Sequence, residues 1–157
     1  MITDNGNEFS SQLPIRGRLL GLDLGTKTIG LALSDSSRQI ATPMQTIRRI
    51  SFRKDVAKLE EILIEHLIAG FVLGLPINMN GTEGPRCQST RDFARNLLIH
   101  LSVPILLWDE RLSTSAADHV LLAADMSRQK RAAVVDKIAA ALILQAALDA
   151  FKNIHSP

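Results

Sequence analysis

The sequence predicts an α/β domain whose central sheet is mixed, with antiparallel strands first, parallel strands after, and helices on its flanks. Three observations carry this. RLLGLDL (18–24) and IGLALS (29–34) are short apolar runs joined by a glycine-bearing connection, the pattern of a β-hairpin. FVLGLP (71–76) and VPILLW (103–108) are brief continuous apolar runs, each preceded by a segment of helical periodicity, as in buried parallel strands. From about Arg131 to Phe151 a long segment reads as one helix.

Taken in order, residues 1–17 show neither periodicity nor a bulky apolar cluster and are expected to form a loose extension. They lack the apolar stretch of a secretory signal. The domain is expected over 18–152, with a short tail at 153–157. A third strand is expected near Ile40 to Ile47, at an edge because Pro43 cannot donate to a ladder. Ser51 is placed to cap a helix in which Phe52, Val56, Leu59, Leu63 and Leu67 recur at helical spacing, and Gly70 is expected to close it. A Gly/Asn-rich loop, NMNGTEGPR, leads into a second helix with Phe93, Leu97, Leu98 and Leu101 inward. A helical segment at about Ser113–Ala123 and a polar, basic loop around Ser127–Lys130 precede the long last helix. No repeat and no linker divides the chain.

At 157 residues, 46% hydrophobic and 22% charged, the chain fits one compact domain. A net charge of +2 says little about partners unless the basic residues cluster. The single Cys87 excludes an internal disulfide and fits a reducing, cytoplasmic setting. No apolar run approaches the ~18 residues needed to span a bilayer, so no membrane partner is expected. His66, His100, His119 and His155 are scattered, which gives zinc no ligand cluster. Aromatic residues make up only 4%, so base stacking is not expected to drive recognition, and Trp108 is expected in the core.

Three acidic positions depart from the solvated default. On the first strand Leu20, Leu22 and Leu24 share one face, and Leu19, Gly21 and Asp23 the other. Opposite them, Thr28, Gly30, Ala32 and Ser34 form a face of small residues that could leave space beside Asp23. An aspartate there can equally brace the following turn, and the residues alone leave both readings open. In the last helix Lys137, Gln145 and Asp149 fall in one polar sector, while Asp136 points to the opposite, buried side among alanines. An acid in a first helical turn is ordinary; its inward direction is not, because a buried carboxylate needs a partner or a metal. At the end of VPILLW stand Asp109 and Glu110, at the carboxyl end of a strand where ligands collect. Alternation lets one of the two reach a site, leaving the other to cap the next helix or pair with Arg111.

GLDLGTKTIGLALSD, GLPINMNGTEGP, WDERLST and DKIAAALILQAALD, in that order and spacing, resemble the YqgF/RuvX family over roughly residues 18–152. Those bacterial proteins are regarded as pre-16S rRNA nucleases and were formerly taken for Holliday-junction resolvases. The resemblance implies an RNase H-like fold and metal-dependent hydrolysis of phosphodiester bonds. It implies catalytic, metal-binding roles for Asp23, Glu110 and Asp136, and Mg²⁺ or Mn²⁺, two ions in all, as cofactor. Implied partners are nucleic acid (pre-rRNA foremost, branched DNA as the alternative) and ribosomal particles. Thr28 stands where the family commonly has Arg, and Asn80 where it commonly has Asp.

Oxygen ligands suit such hard ions, and three carboxylates leave positions for water and phosphate. Candidates to grip the nucleic acid are Lys27 in the turn after Asp23, Arg111 beyond the fourth apolar run, and Arg128, Lys130 and Arg131 before Asp136. Amides around Gly81–Gly84 could form an anion-binding nest. Two other classes compete. D-L-G-T-K also resembles the first phosphate loop of actin-like and sugar-kinase ATPases, but 157 residues cannot supply their two domains. A non-catalytic RNA- or ribosome-binding module would keep the fold without turnover.

Overall fold

The computed structural model describes the backbone of residues 1–113 and 128–155 and, within the last helix, the side chains of 134–151. The elements are β1 (Ile2–Thr3), α1 (Gly6–Gln12), β2 (Arg18–Leu24), β3 (Thr28–Ser34), β4 (Ala41–Arg48), α2 (Phe52–Glu65), β5 (Ile68–Leu75), α3 (Pro85–His100), β6 (Ile105–Asp109), a 3₁₀ turn (Glu110–Leu112) and α4 (Arg128–His155). One six-stranded sheet has the order β1-β6-β5-β2-β3-β4. Strands β2, β5, β6 and β1 pair parallel, β3 runs antiparallel to β2, and β4 runs antiparallel to β3. The mixed α/β sheet expected from the sequence is present, and β4, with Pro43, is an edge strand.

Strand alternation divides the core in two. Leu20, Leu22, Ile29, Leu31, Phe71, Leu73, Ile105 and Leu107 face α2 and α3, meeting Val56, Leu59, Phe93 and Leu97. The other face carries Leu19, Ala32, Val72 and Leu106, and packs against Ala140, Ile143, Leu144, Ala147 and Leu148 of α4. Glycines let α4 come close. A Cβ at Gly21 would stand 2.8 Å from the Leu144 Cβ, and one at Gly30 would stand 2.0 Å from the Asp136 carbonyl oxygen. The small face opposite Asp23 therefore admits a helix backbone rather than open space.

Three expectations need correction. Residues 1–17 are not loose: β1 pairs with β6 through Ile2–Ile105 and Thr3–Leu106, and Asn5 caps α1. Phe9 is fully buried in the second core, its ring 5.9 Å from that of Phe151. One buried aromatic carries this segment, too little to register as periodicity. Gly70 does not close α2; it lies inside β5, where a Cβ would meet the Phe9 ring at 2.9 Å. The helix ends at Glu65, and the turn is made by Leu67, at φ 52° and 76% exposed rather than inward. Arg128 and Lys130 belong to α4, not to a loop before it. The helix expected at Ser113–Ala123 falls, beyond Ser113, outside the described residues.

Candidate active site

Asp23 lies at the carboxyl end of β2, on the α4 side of the sheet, and a glycine flanks it on each neighbouring strand. Gly30 of β3 is its register partner. Gly74 of β5 follows Leu73, the partner of Leu22. Over Gly30 passes the backbone of Asp136, and over Gly74 lies the Glu110 side chain, whose Oε1 would stand 2.7 Å from a Cβ there. The two glycines thus admit two further acidic residues on either side of Asp23.

Electrostatics shows the same grouping. Burial, then repulsion from Asp136, pushes the Asp23 carboxyl up to about 6, against the pull of Arg86. Burial, then repulsion from Asp23, lifts Glu110 to about 7, again opposed by Arg86. Asp136 points inward, as its helical phase requires, and its Oδ2 accepts a 2.5 Å hydrogen bond from Thr28 Oγ1. Among the described residues, no three His, Cys, Asp or Glu side chains lie close enough to hold an ion unaided. An all-oxygen, mutually repelling donor set suits hard divalent ions that keep water and phosphate among their ligands.

The two acids after VPILLW part company at the end of the strand. Asp109 accepts from the backbone and guanidinium of Arg111, its Oδ2 lying 2.7 Å from Nη2. The 3₁₀ turn then swings Glu110 back over the sheet. Arg111 is thereby paired with Asp109. Lys27 is exposed in the β2–β3 turn. Arg128, Lys130 and Arg131 lie on the first turns of α4, and their side chains fall outside the described residues. At the expected nest, Gly81 has φ 87°, but its amide donates to Asn78 O. Asn80 accepts from Thr82 and closes that turn. Cys87 is buried, with its thiol donating to Pro76 O. Trp108 is half-buried beside the second core.

Three residues at or near this end of the sheet escaped sequence reasoning. Thr28 holds Asp136, though it stood out only as a departure from a family pattern. Arg86, the second residue of α3, is the cation that pulls on both Asp23 and Glu110. Arg49 follows β4 and donates to Gly25 O at 2.6 Å. A basic residue directly after Gly-Pro at a helix start was the available signal for Arg86; a lone arginine after an edge strand gave none for Arg49.

A mixed sheet of this order, with acids gathered at the end of its central strand, defines an RNase H-like domain. Solved structures agree on the fold: Thermus thermophilus RuvC, at 12% identity, aligns over 87% of this chain and 96% of that one with a TM-score of 0.53. The same protein in complex with Holliday junction substrate gives 0.56, at the same identity and coverage. The family model described as "RuvX: Holliday junction resolvase" matches residues 17–150, and the chain belongs to this family. A relative from Rhodobacter capsulatus named "Putative pre-16S rRNA nuclease" is 56% identical over 154 residues, 98% of this chain and 97% of that protein. One of the same name from Bradyrhizobium diazoefficiens is 57% identical over 149 residues, covering 95% and 92%. No helix among the described residues is long and apolar enough to cross a membrane.

Proposed function

We propose that this chain is a divalent-metal-dependent nuclease that hydrolyses phosphodiester bonds of precursor 16S rRNA in the cytoplasm. The observation that carries this is the gathering of Asp23, Glu110 and Asp136 around two glycines at the carboxyl end of the central strand, in a chain 56% identical to a protein named for that activity. Asp23, Glu110 and Asp136 would hold Mg²⁺ or Mn²⁺, two ions in all. Bound ions supply an activated water and stabilise the departing oxygen. Asp23, with Glu110 on one side and Asp136 on the other, would contribute the central carboxylate of that donor set. Thr28 fixes the Asp136 carboxylate through its hydroxyl. Arg86 balances the charge of Asp23 and Glu110. Lys27, Arg111, Arg128, Lys130 and Arg131 are assigned to the nucleic-acid backbone, with ribosomal particles as the setting.

A second reading, resolution of branched DNA, is favoured by the family description and by the fold shared with a junction-bound RuvC. Purified protein incubated with precursor rRNA ends, generic RNA and four-way DNA junctions, in Mg²⁺ or Mn²⁺, separates these. Preferential cleavage of precursor rRNA is expected; preference for junctions selects the second reading. Cleavage that survives Asp23→Asn would sink the carboxylate mechanism, and no cleavage by wild type would leave a binding module.

A further inference from the structure

On the opposite side of the β2–β3 turn from α4, a cleft of ≈ 440 Å³ opens between the N-termini of α2 and α3. It starts at Leu24 and Gly25, directly after Asp23, and its cations are Arg49 and Arg86. Neither guanidinium is saturated. Arg49 gives one N–H to Gly25 O at 2.6 Å, and Arg86 reaches Leu24 O only at 3.5 Å. A guanidinium has five N–H donors, so each keeps several for a ligand. Ser51 accepts from Lys54 N as the cap of α2, and its own hydroxyl proton remains a donor. The one carboxylate in the lining, Asp55, is buried and accepts from Ile50 N, so it braces the wall. Among the residues lining the cleft, two arginines stand against one committed carboxylate, and Arg86 also faces Asp23 and Glu110.

We propose that this cleft binds a backbone phosphate of the nucleic-acid strand, next to the phosphate that meets the carboxylates, with Arg49 and Arg86 as its ligands. The inference rests on the nuclease reading. Paired guanidiniums present planar donor forks that match phosphate oxygens. Arg86 belongs both to the cleft and to the field around Asp23 and Glu110, so a phosphate it holds would lie beside the carboxylates.

The test measures binding of a fluorescent single-stranded RNA of about 12 nucleotides in EDTA, so that nothing is cut. Arg49→Gln and Arg86→Gln are each expected to weaken binding about tenfold and to lower the salt slope by about 0.7. Lys58→Gln, which removes an exposed charge of α2 away from the cleft, is the control. Arg49→Lys, which keeps the charge but loses the fork, should fall between. Circular dichroism melts verify that each variant is folded. Unchanged affinity and slope in folded Arg49→Gln would overturn the proposal, whether or not the wild type cuts RNA in Mg²⁺. Displacement of the RNA by ATP at lower concentration than by unlabelled RNA would overturn it too, placing a free nucleotide in the cleft. Absence of cleavage by wild type, with the arginine effects intact, would instead count against the nuclease reading alone.

Discussion

At the scale of single residues the site is a concentration of negative charge held against its own repulsion. Asp23 at about 6 and Glu110 at about 7 both titrate higher than they would in an unfolded chain. The folded state therefore holds more protons than the unfolded one between about pH 4 and 7, and stability falls as pH rises through that window. Asp23→Asn removes part of that cost. It is expected to abolish cleavage and yet to stabilise the metal-free protein at about pH 8 by on the order of 1–3 kcal/mol, a gain that vanishes near pH 4. Urea unfolding at the two pH values in EDTA measures both. Saturating Mg²⁺ should reverse the ranking, because only the wild type gains from binding it. Thr28→Val tests the neighbouring contact. Loss of the hydroxyl at 2.5 Å from Asp136 is expected to cut kcat about tenfold and raise the half-saturating Mg²⁺ concentration, with Thr28→Ser restoring both. The direction of Asp136 was legible beforehand because 3.6 residues per turn fix its phase against Lys137, Gln145 and Asp149. The choice of Glu110 over Asp109 was not legible from alternation, since the strand stops at Asp109 and a 3₁₀ turn redirects the chain beyond it.

At the scale of elements, the placement of Asp136 depends on how closely α4 approaches the sheet. The helix rests on Gly21 and Gly30, and the polar sector expected to face solvent instead clasps the edge of the sheet: Gln145 accepts from Ala41 N and donates to Gln39 O and Asp149. Helical phase gave the sector but not what it would meet, which depends on where β4 begins. Gly30→Ala is therefore expected to be among the most damaging small substitutions in the chain. Its new Cβ would lie 2.0 Å from the Asp136 carbonyl oxygen, backbone that can yield only by moving the helix. A loss of about 3 kcal/mol or more is expected on denaturant unfolding, together with loss of cleavage, because Asp136 moves with its backbone. A stable, active Gly30→Ala protein would show that α4 sits farther from β3. Strand and helix order were legible because apolar runs and helical spacing alternate so plainly. Gly70 misled because glycine ends helices and lines close packing alike, and only the partner, Phe9, distinguishes the two uses.

At the scale of the whole molecule, the N-terminal segment completes the fold from the far edge of the sheet. Strand β1 covers β6, and β6 leads into the turn that aims Glu110. Phe9 fills the space over Gly70 against Phe151, joining the two ends of the chain across one core. Arg38 secures the connection, donating to the carbonyls of Gly17 and Pro14 at 2.8 and 2.6 Å. None of this was legible in MITDNGNEFSSQLPIRG, because a two-residue strand and a seven-residue helix are too short to display a period. Two changes separate the contributions. Phe9→Ala removes a fully buried ring but leaves β1 in place, so it should lower stability by about 3–5 kcal/mol without changing the protein's state of association. Deletion of residues 1–13 should lower stability at least as far and also bare the edge of β6, whose unpaired amides and carbonyls then invite pairing with another chain. Thermal melts with light scattering across a concentration series measure both effects. Concentration-dependent association is expected of the truncated chain alone; a truncated chain as stable and monodisperse as the full one would show that neither β1 nor Phe9 supports the sheet.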